Sequence, residues 1–309
     1  MELFTDDKNR ELKPHGTFGF PVYVDKKPIS SYPTGFFPWH WHDEVEFTLA
    51  VTGRMEYRIN DRHYLLEEGQ GLFCNAGALH AGSMADRDCD YISLTFHPRL
   101  LAGFEGSTVG AKYVFPLVES RAVASKLLLP SIAWQADVLG LLHEVYRLCR
   151  EKQPLYELYV QKNLTETWRL LYENCAEQVQ SGPAEDSEKV RRLRTILAFL
   201  HEHYAEKLSL EEIARQVGLC KSECCRFFKR EMDASLFDYL LDYRIGRSLS
   251  YLQAGWSVAD TAAKTGFSDP SYFAKVFRLR TGRSPSGYRK ENNGGKTAYK
   301  SAYRKEGTG

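Results

Sequence analysis

Between about Phe18 and Pro98, apolar and polar residues alternate in short stretches such as Val45 to Val51 and Met55 to Ile59. A period of two sends successive side chains to opposite faces of an extended chain, so these stretches predict strands. Asn60-Asp61, between MEYRI and the following HYLL, predicts a hairpin turn. Closely spaced strands with no helical pattern between them predict an antiparallel β-barrel or sandwich. Beyond residue 120 the period lengthens. Trp134, Val138, Leu141, Leu142, Val145 and Leu148 recur at three- and four-residue spacing, and Leu164, Trp168 and Leu171 repeat it after a break at Pro154. Two amphipathic helices are expected there. The polar stretch 178–189, QVQSGPAEDSEK, predicts a linker. From Lys189 to about Lys290 the pattern is helical, and residues 291–309 are expected to be a disordered tail. The expected division is a barrel-plus-two-helices domain over residues 15–177 and an all-α domain over residues 189–290.

The helical half contains an internal repeat. EIARQVGL at Glu212 to Leu219 returns as DTAAKTGF at Asp260 to Phe267. Each copy has a small residue (Ala214, Ala262) that lets two helices approach, then a glycine (Gly218, Gly266) suited to the positive φ of a sharp turn, then a second helix with basic residues. This is the grammar of a double helix-turn-helix. Ser209 and Glu212, three apart, predict a capping box on the first copy. Periodicity then sorts the second helices. Cys224, Phe227 and Phe228 fall inward in one, leaving Ser222, Cys225, Arg226 and Lys229 outward; Phe273, Val276 and Phe277 fall inward in the other, leaving Ser271, Ala274, Lys275 and Arg278. For one such helix alone, a solvated basic face is the better explanation. Two copies in register favour DNA.

Charge agrees with that asymmetry. Residues 1–187 carry 18 Lys/Arg against 26 Asp/Glu, whereas residues 188–290 carry 19 against 12. Only the second half is built to meet a polyanion. An apolar content of 43% suffices for two cores, no run is long enough for a membrane span, and the polar start MELFTDDKNRELK is unlike a signal peptide. Seven scattered cysteines do not form the framework of a secreted domain. A cytoplasmic protein without a membrane partner is expected. Cys220, Cys224 and Cys225 can also be read as a redox or metal cluster, though no second set of ligands stands near them in sequence.

SLEEIARQVGLCKSECCRFFKREM with SVADTAAKTGFSDPSYFAKVFRLRTGRSPSGYR resembles the double helix-turn-helix of AraC/XylS transcription regulators over about 100 residues. The resemblance implies that each second helix enters a major groove and that one long helix, Ser235 to Gln253, joins the two units. At about 1.5 Å per residue that helix spans about 28 Å, which can set two readers in successive grooves. Double-stranded DNA is the implied partner, RNA polymerase a further one that the family admits, and a homodimer formed through the helices at about Ser131 to Gln178 the expected assembly. Three positions depart from the family pattern: Cys220 at the place of a capping serine, Cys224 at that of a larger apolar residue, and Asp233 at that of a glycine.

The barrel half carries its own constellation. Gly35, His40, His42, Glu46 and Gly53 are spaced Gx4HxHx3Ex6G, and Gly69, Gly77 and His80 follow as Gx7Gx2H. His40, His42 and Glu46 are in phase on a strand and can converge with His80. The spacing is similar to the two cupin motifs, and in metal-binding cupins three histidines and a glutamate hold a divalent transition metal. Asn75 and Met84 replace the proline and asparagine of the second motif. Two readings stay open. Either His40, His42, Glu46 and His80 bind a metal, or, with no cofactor, they line an effector pocket with Trp39, Trp41, Arg54, Tyr57 and Arg58, whose aromatic and hydrogen-bonding groups suit a carbohydrate. The function expected is a sequence-specific regulator of transcription, not an enzyme, responding to a small-molecule effector. The alternatives are a metal-dependent cupin enzyme or metal sensor fused to a DNA-binding domain, and a nonspecific architectural DNA binder that the acidic first half disfavours.

Overall fold

A computed structural model describes residues 3, 5–6, 9–180, 188–232 and 234–290. The tail 291–309, most of the expected linker, and Asp233 lie outside the described residues. The chain divides into two compact units, Leu3–Arg194 and a second from Thr195 onward.

Among the described residues the first unit has nine strands: β1 (Val22–Pro28), β2 (Phe36–His40), β3 (Val45–Thr52), β4 (Arg54–Ile59), β5 (Arg62–Glu67), β6 (Gly71–Cys74), β7 (His80–Met84), β8 (Asp90–Phe96) and β9 (Ser125–Leu128). They form two antiparallel sheets, ordered β1-β8-β3-β6-β9 and β2-β7-β4-β5. The predicted hairpin is present: Ile59 pairs with Arg62 across Asn60-Asp61, and Asn60 takes φ 53°. After β8 come the short helices α1 (Arg99–Ala102) and α2 (Phe115–Val118), and after β9 the long α3 (Ala133–Glu151) and α4 (Tyr156–Gln180). The break between α3 and α4 spans Pro154, with Lys152 and Leu155 both at positive φ.

Strand β3 shows why this unit needs two layers. Val45, Phe47 and Leu49 pack into one core with Val138, Leu142 and Val145 of α3 and Leu164, Trp168 and Leu171 of α4. The intervening Glu46, Thr48 and Ala50 turn toward the second sheet, where Ala50 shares a core with Met55, Tyr57 and Ile59 of β4. Both faces of the strand are covered, so burial is continuous from Val45 to Ala50. A polar side chain on the inner face is therefore enclosed by protein.

The second unit contains the end of α5 (Glu188–Glu202), then α6 (Leu210–Gln216), α7 (Lys221–Met232), α8 (Leu236–Gln253), α9 (Val258–Lys264) and α10 (Pro270–Thr281). Local signals set the helix starts. Ser209 and Glu212 make the predicted capping box on α6, Ser235 caps α8, Ser257 caps α9 and Asp269 caps α10 just before Pro270. At Cys220 the Glu223 carboxylate accepts the backbone N–H at 3.2 Å, the reciprocal half of a capping box. Gly266 has φ 82°, and a Cβ there would lie 2.8 Å from the Tyr204 carbonyl oxygen, so the turn requires glycine for conformation and for space. Around α8, Ile245, Leu249 and Leu252 form one core with Ala262, Phe273, Val276, Phe277 and Tyr288. Tyr288, from the SPSGYR signature, also accepts a hydrogen bond from Gln253 at 2.8 Å.

Candidate functional site

The inner faces of the two sheets bring His40, His42 and His80 together. His40 ends β2 and pairs in register with His80 at the start of β7, and their ring centroids are 4.1 Å apart. His42 follows β2, its ring 5.0 Å from that of His80. All three are buried, with candidate ligand atoms within 4.8 Å of one another. Each Nδ1 faces a backbone carbonyl two residues away: Pro38 at 2.9 Å for His40, Glu44 at 3.1 Å for His42 and Ala78 at 2.9 Å for His80. A carbonyl oxygen only accepts, so each Nδ1 carries a proton and each Nε2 is left for the interior. His80 Nε2 is buried without a hydrogen-bond partner.

Glu46, on the inner face of β3, supplies the charge. Its Oε2 lies 3.3 Å from His42 Nε2 and 3.8 Å from His80 Nε2, while Oε1 accepts hydrogen bonds from Tyr57 and Thr48, each at 2.9 Å. Burial pushes this carboxyl up, but the hydrogen bond with His42 and the imidazoles of His80 and His40 outweigh it and hold the group well below the carboxylate range. Burial, with its imidazole neighbours, drives His80 well below the usual histidine value and lowers His40. Lowering His40 and His80 favours the form in which Nε2 offers a lone pair, which is what a cation needs of them.

The expected effector residues do not all meet. His40, His42, Glu46, Tyr57 and His80 form one cluster. Trp39 is buried on β2 and does not line the adjoining cavity. Arg54 is committed to an exposed two-point ion pair with Asp86, at 2.8 and 2.6 Å. In its place the cavity takes residues the sequence did not single out: Tyr23 and Lys27 from β1, Tyr91 and Ser93 from β8, and Glu11 and His15 from the N-terminal segment. A signal for the strand residues exists, since Tyr23, Asp25 and Lys27 alternate with Val22 and Val24 and so put polar groups on one face. Glu11 and His15 lie in a stretch without periodicity, held through isolated bridges. His15 sits between two carboxylates, 3.0 Å from Glu11 and 3.2 Å from Glu44. Burial works against its charge, yet the bonds to both acids raise it to about 9, and the same contact carries Glu11 down to about 2 against the effect of burial. The cavity holds about 30 Å³ of space. That is room for about a water molecule or two.

The helix-turn-helix surface follows the periodicity. Ser222, Cys225, Arg226 and Lys229 of α7 are exposed while Cys224, Phe227 and Phe228 are buried. On α10, Ser271, Lys275 and Arg278 are exposed, Ala274 is half-buried, and Phe273, Val276 and Phe277 are buried. Among the described residues, the converging ligand groups are His40, His42, His80 and Glu11, His15, His42, and neither includes Cys220, Cys224 or Cys225.

An antiparallel barrel with a histidine-lined interior, carried in one chain with two helix-turn-helix units on a shared helix, defines a ligand-responsive regulator of transcription. A model of the AraC-like ligand binding domain matches residues 29–167, and one of a helix-turn-helix domain matches residues 213–291. The chain is 34% identical over 296 residues to the HTH-type transcriptional regulator YdeC of Bacillus subtilis, covering 95% of this chain and 100% of that one. It is 22% identical over 254 residues to the HTH-type transcriptional activator RhaR of Mannheimia succiniciproducens, covering 82% and 87%. Unsaturated-fatty-acid-bound ToxT from Vibrio cholerae aligns over 90% of this chain and 97% of its own with 12% identity and a TM-score of 0.42. The chain belongs to the AraC-type helix-turn-helix transcription regulators. Among the described residues no helix is long and apolar enough to cross a membrane.

Proposed function

We propose that this regulator acts in the cytoplasm as a homodimer, reads DNA with the outward stripes of α7 and α10, takes its effector in the barrel cavity, and performs no catalysis of its own. The observation that carries the DNA reading is the repetition of one exposed stripe, at the same spacing, on the second helix of both units. A guanidinium such as that of Arg226 can bond two acceptors on a guanine edge, while Lys275 at the equivalent place offers a point charge. Selection of bound sequences from a random duplex pool, followed by footprinting, tests it. The expected result is two contacted segments about one helical turn apart for each bound protomer. Equal affinity for all sequences at fixed salt would overturn it.

For the cavity, the orphaned Nε2 of His80 favours a specific occupant. Three imidazole nitrogens and the Glu46 carboxylate are a donor set for a divalent transition metal, and the 3.3 and 3.8 Å separations of Glu46 Oε2 from two of those nitrogens suit atoms that share one ion. His40, His42, Glu46 and His80 would hold it, and the ion would supply a Lewis-acidic position for oxygen donors of an effector. A metal-dependent cupin enzyme would use the same ligands, and reproducible turnover by the metal-loaded protein would replace the sensor reading.

A further inference from the structure

We propose that Glu11, delivered by the N-terminal segment, is a second carboxylate ligand of the histidine centre, so that a divalent transition metal is bound jointly by the barrel and by residues 9–15. The inference rests on the metal reading of that centre. It adds a ligand from outside the barrel motifs.

The geometry is specific. Glu11 Oε2 lies 3.9 Å from His40 Nε2, and Glu11, His15 and His42 offer ligand atoms within 4.8 Å of one another. His42 thus belongs to two converging groups, one completed by His40 and His80 and the other by Glu11 and His15. The Glu11 side chain is 7% exposed, as buried as Glu46 at 9%. The segment is fastened so as to aim it. Glu11 N donates to the Trp41 carbonyl at 2.8 Å, and Trp41 N donates back to Asn9 at 2.9 Å. This short ladder lies between His40 and His42 in the chain, and it turns Arg10 outward to Asp43 and Glu11 inward. A buried dication is stabilised when ionised ligands balance its charge, and Glu11 and Glu46 together supply two negative charges beside three neutral-ring donors. His15, 3.0 Å from Glu11 and 3.2 Å from Glu44, then serves as a positioning residue that orients the ligating carboxylate. A simple Glu11–His15 ion pair accounts for the 3.0 Å contact. It gives no reason for the carboxylate also to face His40 and His42.

Joint ligation makes a consequence measurable: metal should fasten the N-terminal segment. The experiment titrates the full chain with Zn(II) or Ni(II) by calorimetry and follows hydrogen exchange of residues 9–15 with and without the metal. Wild-type protein is expected to bind one equivalent and to slow exchange in the segment. Glu11→Gln should still bind one equivalent through the barrel ligands, about 10- to 100-fold more weakly, and lose the metal-dependent protection. Glu11→Asp, which keeps the carboxylate on a shorter arm, should fall between the two. A thermal melt of each apo variant confirms folding. Unchanged affinity in Glu11→Gln, or segment protection that ignores the metal, overturns the proposal while leaving the barrel centre standing. Failure of the wild-type chain to bind stoichiometric metal overturns both.

Discussion

Arg280 of α10 and Asp242 of α8 face each other with Nε and Oδ1 2.6 Å apart, yet neither atom has hydrogen-bond geometry toward a partner. The pair gains Coulomb attraction without a directional bond. Burial of Asp242 therefore prevails over the pull of Arg280 and raises its carboxyl to about 6. The contact joins α10 to α8.

A pH dependence follows from that pair. A carboxyl whose pKa is raised by folding binds its proton more tightly in the native state, so its contribution is full below about pH 4 and is lost as pH rises through about 6. With solvent screening the change amounts to about 1–2 kcal/mol. Wild-type protein should be stabilised relative to Asp242→Asn by that much more at pH 4.5 than at pH 7.5. Denaturant melts of both proteins at the two pH values measure it, and a constant difference between them would refute the assignment.

Arg226→Ala should weaken binding to the selected DNA by about 1–3 kcal/mol and relax the preference at one base position. Lys275→Ala should cost less and should lower the salt slope by about one ion. Competition binding at several salt concentrations separates the two. Equal losses on selected and random DNA would make Arg226 a phosphate contact.

The connecting helix should act as a spacer. Arg244→Pro breaks α8 in its interior, at about 3 kcal/mol or more, and also removes hydrogen bonds from the guanidinium to the carbonyls of Tyr204 and Glu206, at 2.6 and 2.7 Å. Arg244→Ala removes only the latter. Footprints of the folded proteins should show both segments for Arg244→Ala and one segment for Arg244→Pro. Two intact segments with proline would eliminate the spacer role.

Purified protein should carry close to one equivalent of a divalent transition metal, and His42→Ala combined with His80→Ala should abolish it. Metal analysis after gel filtration is sufficient. Substoichiometric metal that the substitutions leave unchanged would return the cluster to the role of a polar wall for an organic effector.

The sequence by itself determined what depends on neighbours along the chain. Capping residues, the Asn60-Asp61 turn, the period of two in β3 and β4, and the inward and outward faces of α7 and α10 are local consequences of side-chain direction and backbone geometry, and all are present. The convergence of His40, His42, Glu46 and His80 was legible from the two spaced motifs, though not through the phase of one strand: His40 ends β2 in one sheet, His42 follows it, and Glu46 stands on β3 in the other. Tertiary structure decided the rest. Arg54, though near the cluster in sequence, is drawn outward by Asp86, a partner 32 residues away. Tyr91 and Ser93 reach the cavity because β8 lies between β1 and β3, a strand order that loop lengths do not specify. Glu11 reaches the histidines because its segment bridges to Trp41, 30 residues along the chain, and a contact closed over that distance leaves no period in the sequence that bears it.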